Sequence, residues 1–185
     1  MVLTDREIES AIKHGHIRID PAPDVTFYSS TSVDLTLSRF LSVWRTANFP
    51  GLDTVVSPAA AGYQYSQLAK TFSEPREIGS DGYILGPNAF VLGWTAETIE
   101  LPSHSRLAAR VEGKSSLARL AIGVHITAPT IHAGFKGQIQ LELWNHGPLQ
   151  VKLMSGMRVC QLIFEQTLGT PEKGYSGQFF AQSKK

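Results

Sequence analysis

Short runs of alternating apolar and polar residues, closed off by glycine or proline, dominate the chain from residue 83 onward. Successive side chains on a strand point to opposite faces, so period-two runs of this kind mark strands. Tyr83–Leu85, Ala89–Glu97, Leu107–Glu112, Val124–Ala128, Gly137–Asn145, Val151–Leu153 and Met157–Phe164 all read this way. Val33-Asp34-Leu35-Thr36-Leu37-Ser38 adds an earlier one. Gly86-Pro87-Asn88, Leu101-Pro102, His146-Gly147-Pro148 and Ser155-Gly156 supply the turns between them. Many short strands at this spacing predict an all-β sandwich or barrel rather than βαβ units.

Helical signals are few. Thr4 followed by Glu7 is a capping box, with Ile8, Ala11 and Ile12 on one face and Gly15 as a stop. Pro21 and Pro23 then mark an extended connection. The spacing leaves room for only one internal helix, from Ser115 to about Leu120. Residues 46–81 carry Gly, Pro, Ser and Ala without clear period and predict long loops or an irregular flap. Residues 169–185 predict a tail that is mobile unless a partner or ligand orders it.

At 185 residues the chain fits one domain, 1–185, with 1–20 as an N-terminal helix region. Seventeen basic residues against sixteen acidic leave a net charge of +1, so no global field draws it to nucleic acid or an anionic membrane. A single cysteine, Cys160 in an apolar run, excludes a disulfide framework and any multi-cysteine zinc site. No apolar stretch approaches the ~20 residues of a membrane span. The charged opening Thr4-Asp5-Arg6-Glu7 does not suit a secretory signal. A reduced, cytoplasmic setting follows as the expectation.

Two segments carry candidate chemistry. Gly113-Lys114-Ser115-Ser116-Leu117-Ala118-Arg119 places two hydroxyls and two cations at the start of a short helix. Such an end attracts anions, and Lys114 and Arg119 suit phosphate oxygens. A serine-capped helix with solvated cations is equally compatible with these residues. A Walker A loop is excluded, because the glycine it needs four positions earlier is Ala108. In the second segment, Ile139, Leu141 and Leu143 share one strand face, and Gln140, Glu142 and Trp144 share the other. Glu142 either points to solvent or faces a partly dry cleft, where desolvation suits a carboxyl to acid/base work. The six histidines show no metal-type spacing, and the zinc-deaminase signature is absent.

Taken together, Glu112–Leu120, Val124-His125-Ile126-Thr127-Ala128, Ile131-His132-Ala133-Gly134-Phe135-Lys136-Gly137 and Leu141-Glu142-Leu143-Trp144-Asn145 resemble the dCTP deaminase family of the dUTPase-like superfamily. Leu3–Ile8, Ser32–Leu35 and Gly174-Tyr175-Ser176-Gly177-Gln178 extend the likeness over nearly the whole chain. The resemblance implies a distorted jelly-roll β-barrel that assembles as a homotrimer with active sites at subunit interfaces. It implies zinc-independent hydrolysis of dCTP to dUTP and ammonia, with Mg2+ bound through the substrate triphosphate and dTTP as a candidate feedback inhibitor. By position, Glu142 matches the catalytic glutamate, and Ser115 and Arg119 match its active-site partners. Lys114 and Ser116 fall in the phosphate segment. Thr127 and Ala128 match the turn that holds the pyrimidine, and Gln140 and Leu141 lie in the nucleotide-contacting strand. Tyr175 and Gln178 match tail positions that close over the triphosphate.

Some positions depart from the family pattern. His132 stands where the family's aspartate is usual, Lys114 replaces an arginine and Ala121 a glycine. The missing aspartate argues against further cleavage of dUTP to dUMP and pyrophosphate. That bifunctional reading stays open beside the monofunctional one, as do a non-catalytic nucleotide-binding regulator and a jelly roll that binds no triphosphate.

Overall fold

The structure, a computed structural model, describes residues 1–44, 55–173 and Tyr175. The capping box forms as the sequence predicts. Helix α1 (Asp5–Lys13) starts after Thr4, whose backbone N–H donates to the Glu7 carboxylate at 3.2 Å. Gly15, at φ +74°, ends it in a conformation that glycine adopts without strain. Ile8 is the residue of α1 that enters the core.

Thirteen strands follow in chain order among the described residues: β1 (Arg18–Asp20), β2 (Tyr28–Ser29), β3 (Ser32–Thr36), β4 (Phe40–Trp44), β5 (Ser73–Glu77), β6 (Tyr83–Leu85), β7 (Phe90–Glu100), β8 (Leu107–Gly113), β9 (Ile122–Gly123), β10 (Thr130–Ile131), β11 (Lys136–Asn145), β12 (Val151–Leu153) and β13 (Arg158–Gln166). Two further helices are α2 (Tyr65–Phe72), between β4 and β5, and α3 (Ser115–Ala118), between β8 and β9.

The strands form a six-stranded sheet, β5-β4-β7-β11-β9 with β1 also on β7, and a five-stranded sheet, β10-β8-β13-β3-β2. A small β12-β6 pair stands beside them. All pairings are antiparallel. The two large sheets share one core, in which Val33, Leu35, Val111 and Leu162 of one meet Leu41, Val91, Leu141 and Leu143 of the other. The architecture is jelly-roll-like and mostly β, as expected, but the sheets do not close into a barrel. Cys160 lies wholly within the core, and burial pushes its thiol far above the ordinary range.

Three expectations require correction. Val124–Ala128 is not a strand: the N–H of Ile126 turns to the Glu142 side chain instead of a ladder, and Pro129 offers its carbonyl to Val111. Residues 55–81 are not all loop, since α2 and β5 lie there; 46–54 fall outside the described residues. Helix α2 is therefore a second internal helix. Among the described residues strand β5 pairs only with β4, which makes it an edge strand there, tolerant of Pro75 and without need of apolar alternation.

Strand β3 shows what alternation leaves unsaid. Val33 and Leu35 face the core, yet all five of its residues are buried. Asp34 is covered by Lys114, whose Nζ lies 2.6 Å from its carboxylate, and by Arg158 at 3.5 Å. Thr36 donates through its backbone N–H at 3.0 Å and its hydroxyl at 2.7 Å to buried Glu97.

Candidate active site

Register fixes which side chains surround Glu142. On β11, Ile139, Leu141 and Leu143 are core residues, so Gln140, Glu142 and Trp144 face outward. Across the sheet, Gln140 pairs with Trp94, Glu142 with Leu92 and Trp144 with Phe90. Directly paired residues share a face. Leu92 in turn pairs with Ser42 of β4, so Ser42, Leu92 and Glu142 form one row. The carboxylate thus rises from an apolar and aromatic surface, and is itself half-buried.

One hydrogen bond holds it there. The N–H of Ile126 donates to Glu142 Oε2 at 3.2 Å, tying the 124–128 segment to the strand. Helix α2 begins at Tyr65. Burial pushes the phenol of Tyr65 above its ordinary value, and the negative charge of Glu142 pushes it further. Tyr65 packs on Trp44 with ring centroids 6.5 Å apart. Sequence reading missed Tyr65, although Tyr65, Leu68, Ala69 and Phe72 repeat at helical spacing and are the half-buried residues of α2.

Glu142 opens onto a cleft of about 260 Å³ lined by Ala128, Thr130, Ile131, His132, Phe135, Ile139, Gln140 and Tyr175. Five of the expected residues therefore converge: Ala128, His132, Gln140, Glu142 and Tyr175. Tyr175 is docked by its N–H, which donates to the Ala133 carbonyl at 3.1 Å, and by ring contacts with His132 and Phe135. Leu141 is fully buried on the opposite face, so only its main chain can contribute. Thr127 is exposed beside the cleft, and Gln178 lies outside the described residues.

The anion-binding candidates lie elsewhere. Ser115 and Ser116 on α3, and Arg119 at its C-cap, are exposed and do not line the cleft. Lys114 takes the N-cap position of α3 and neither serine caps it; the Lys114 ammonium is paired with Asp34. No group of three or more His, Cys, Asp or Glu among the described residues is arranged to hold a metal ion. No helix among them is long and apolar enough to cross a membrane.

Residues 2–167 match the profile of the dCTP deaminase-like family. The chain belongs to that family. A protein of Streptomyces griseus named "dCTP deaminase, dUMP-forming" is 37% identical over 178 residues, 96% of this chain and 86% of its own. A "dCTP deaminase" of Rhodospirillum rubrum is 35% identical over 185 residues, all of this chain and 92% of its own. Among solved structures, the 2'-deoxycytidine 5'-triphosphate deaminase of Agrobacterium tumefaciens superposes with a TM-score of 0.67 at 21% identity. That match covers 88% of this chain and 47% of the other, so the chain spans about half of that protein's length. At this identity the likeness establishes a shared fold.

Proposed function

We propose that this member of the family converts dCTP and water to dUTP and ammonia, with Glu142 as the proton shuttle. The carrying observation is the Glu142 carboxylate, gripped by the Ile126 N–H and opening onto a cleft walled by Gln140, His132, Phe135 and Tyr175. Deamination at C4 of cytosine needs a water deprotonated for attack, a proton on the ring nitrogen, and a proton on the departing amine. One carboxyl beside C4 handles these in turn: it takes a proton from the attacking water and passes it to N3, then takes the hydroxyl proton of the tetrahedral intermediate and delivers it to the amino group, so that the C4 carbonyl forms as the C–N bond breaks and ammonia leaves. This reading needs no zinc. Magnesium enters as part of the substrate, on the triphosphate.

The cleft is slightly smaller than the roughly 300–1,000 Å³ of most small-molecule sites. Ser115, Ser116 and Arg119, the groups suited to phosphate, lie outside it on the same chain. Both facts support a site completed by a neighbouring subunit of a homotrimer, in which α3 faces the Glu142 cleft of its partner. Ser115 and Arg119 then orient the reacting groups and bind phosphate, and Tyr175 and Gln178 are the further residues proposed to bind the triphosphate. The 1–185 chain acts as one such domain in the cytoplasm, with dTTP as a candidate inhibitor.

A second reading carries dUTP on to dUMP and pyrophosphate. The name of the S. griseus relative favours it; His132, at the position where the family's aspartate is usual, disfavours it, because a histidine cannot serve there as an anionic base. Incubation with dCTP and Mg2+, followed by separation of dCTP, dUTP and dUMP, decides both points. Accumulation of dUTP with equimolar ammonia supports the first reading. Dominant dUMP with pyrophosphate establishes the second, and unchanged dCTP overturns both.

A further inference from the structure

Strand β7 is irregular beside the cleft. Gln138 of β11 pairs with Thr98 and Gln140 pairs with Trp94, so Thr95, Ala96 and Glu97 stand opposite Ile139 alone. A bulge of this kind leaves ladder groups without their usual partners and re-aims the side chains around it. Side chains supply the partners here. The Ile139 N–H donates to Thr95 Oγ1 at 2.9 Å, and the Thr95 hydroxyl donates onward to the Glu97 carbonyl at 2.8 Å. The Gln138 side-chain amide donates to the Thr95 carbonyl at 2.9 Å. Thr95, Glu97 and Gln138 are all buried, Thr95 completely, while Ala96 is pushed out to solvent. Away from β11, Thr95 forms a bridge to Leu37, and the Glu97 carboxylate takes the two bonds from Thr36. The bulge is thus tied to the chain on both of its sides.

We propose that Thr95 and Gln138 are positioning residues for the Glu142 cleft: by closing the β7 bulge on the Ile139 N–H, they set the direction in which Gln140 and Glu142 leave β11. Ile139 and Gln140 line the cleft, whereas Thr95 and Gln138 do not, so both act through the main chain of β11. Alternate residues of a strand share a face, and the turn that β11 takes at Ile139 passes to Gln140 and then to Glu142. The kinetic consequence rests on the deaminase reading; the hydrogen bonds do not. Position 95 calls for a hydroxyl, because one atom there accepts from β11 and donates within β7. Serine shares that capacity, and valine, with the shape of threonine, lacks it. Without the hydroxyl a buried N–H and a buried carbonyl lose their partner, and the bulge must shift to satisfy them.

The test compares Thr95→Val, Thr95→Ser and Gln138→Met in the full-length protein, each assayed well below its own Tm. Thr95→Val lowers kcat for dCTP by about 10-fold, because a small misplacement of reacting groups is costly even when its origin is remote. KM changes less than about threefold, the split that accompanies lost alignment in the transition state rather than lost binding. Thr95→Ser restores kcat to within about twofold of the wild type, since the hydroxyl is back. Deuterium exchange of the Ile139 amide, followed by NMR, reads the bond directly. Relative to the Leu162 amide in the other sheet, it speeds up by about 10-fold in Thr95→Val, as for loss of one hydrogen bond, and keeps its rate in Thr95→Ser. An unchanged kcat in Thr95→Val, or a Thr95→Ser variant as slow as Thr95→Val, overturns the positioning role. Should Thr95→Val fail to fold, Gln138→Met takes its place, since it removes the donor to the Thr95 carbonyl and leaves Thr95 itself. A kcat lowered by about threefold or more then supports the proposal, and an unchanged one overturns it. Equal relative exchange of Ile139 in the wild type and Thr95→Val overturns the bond. A wild-type protein inert toward dCTP defeats the deaminase reading instead, while the exchange measurement still judges the bulge.

Discussion

The imidazole of His132 lies nearly parallel to the ring of Tyr175, with centroids 5.8 Å apart and planes 16° from parallel. The two rings form one wall of the Glu142 cleft, and Phe135 packs on Tyr175 from a second side at 5.9 Å. Stacked aromatic pairs contribute roughly 0.5–1.5 kcal/mol beyond burial. Tyr175→Ala therefore raises KM for dCTP by about tenfold and leaves kcat within a few-fold, while Tyr175→Phe stays close to wild type. Steady-state kinetics on the two variants check this. Equal effects of Ala and Phe place the contribution in the hydroxyl rather than the ring.

Glu142→Gln keeps the shape of the side chain and removes its capacity to carry a proton. Turnover of dCTP falls by about 10³-fold, within the range for loss of a positioned acid/base group. Binding of the Mg2+ complex of dCTP, followed by calorimetry, stays within a few-fold. A variant that turns over at a near-normal rate removes Glu142 from the reaction.

Lys114 secures the fold. Its ammonium sits 2.6 Å from Asp34, whose side chain is only 6% exposed. Removing one partner of such a pair strands a buried charge. Lys114→Met lowers stability by about 3 kcal/mol, at the low end of the usual range because Arg158 stays at 3.5 Å. In a chain of this size that corresponds to a Tm lower by roughly 6–12 °C in a thermal melt. Lys114→Met with an unchanged Tm assigns the lysine to phosphate alone.

Arg18, Glu100 and Lys136 form a single row across β1, β7 and β11. Burial disfavours the charged form of Glu100, but hydrogen bonds and charge from Lys136 and Arg18 outweigh it and hold the carboxyl below its ordinary value of 4.5. A depressed folded value means that the contribution is present above about pH 4.5 and disappears as pH falls through the folded value. The Tm advantage of the wild type over Glu100→Gln is therefore full near neutrality and shrinks below pH 4.5. A gap that does not change with pH rules this ion row out as its source.

What the sequence discloses and what it hides divide along physical lines. Strands β6 and β12 appear with the bounds their alternation predicts, and β7, β8, β11 and β13 within a few residues, because each buries one apolar face. Val124–Ala128 has the composition of a strand, but its amide is drawn to a carboxylate sixteen residues away, and no local pattern records that. Strand β5 is exposed at an edge and has no apolar face to display. Helix α2 is different, since its stripe is present at 65, 68, 69 and 72 and is obscured only by the irregular residues around it. Glu142, Gln140, Ala128, His132 and Tyr175 line one cleft. The separation of α3 from them is a property of the three-dimensional path, which spacing alone does not encode.

The grip on Glu142 from position 126 is made by main chain. Side-chain identity there is consequently free to drift: a valine, serine or lysine codon would preserve the same amide donor. Proline is the exception, since it alone carries no N–H, so descendants of this chain can explore almost any residue at 126 but not that one.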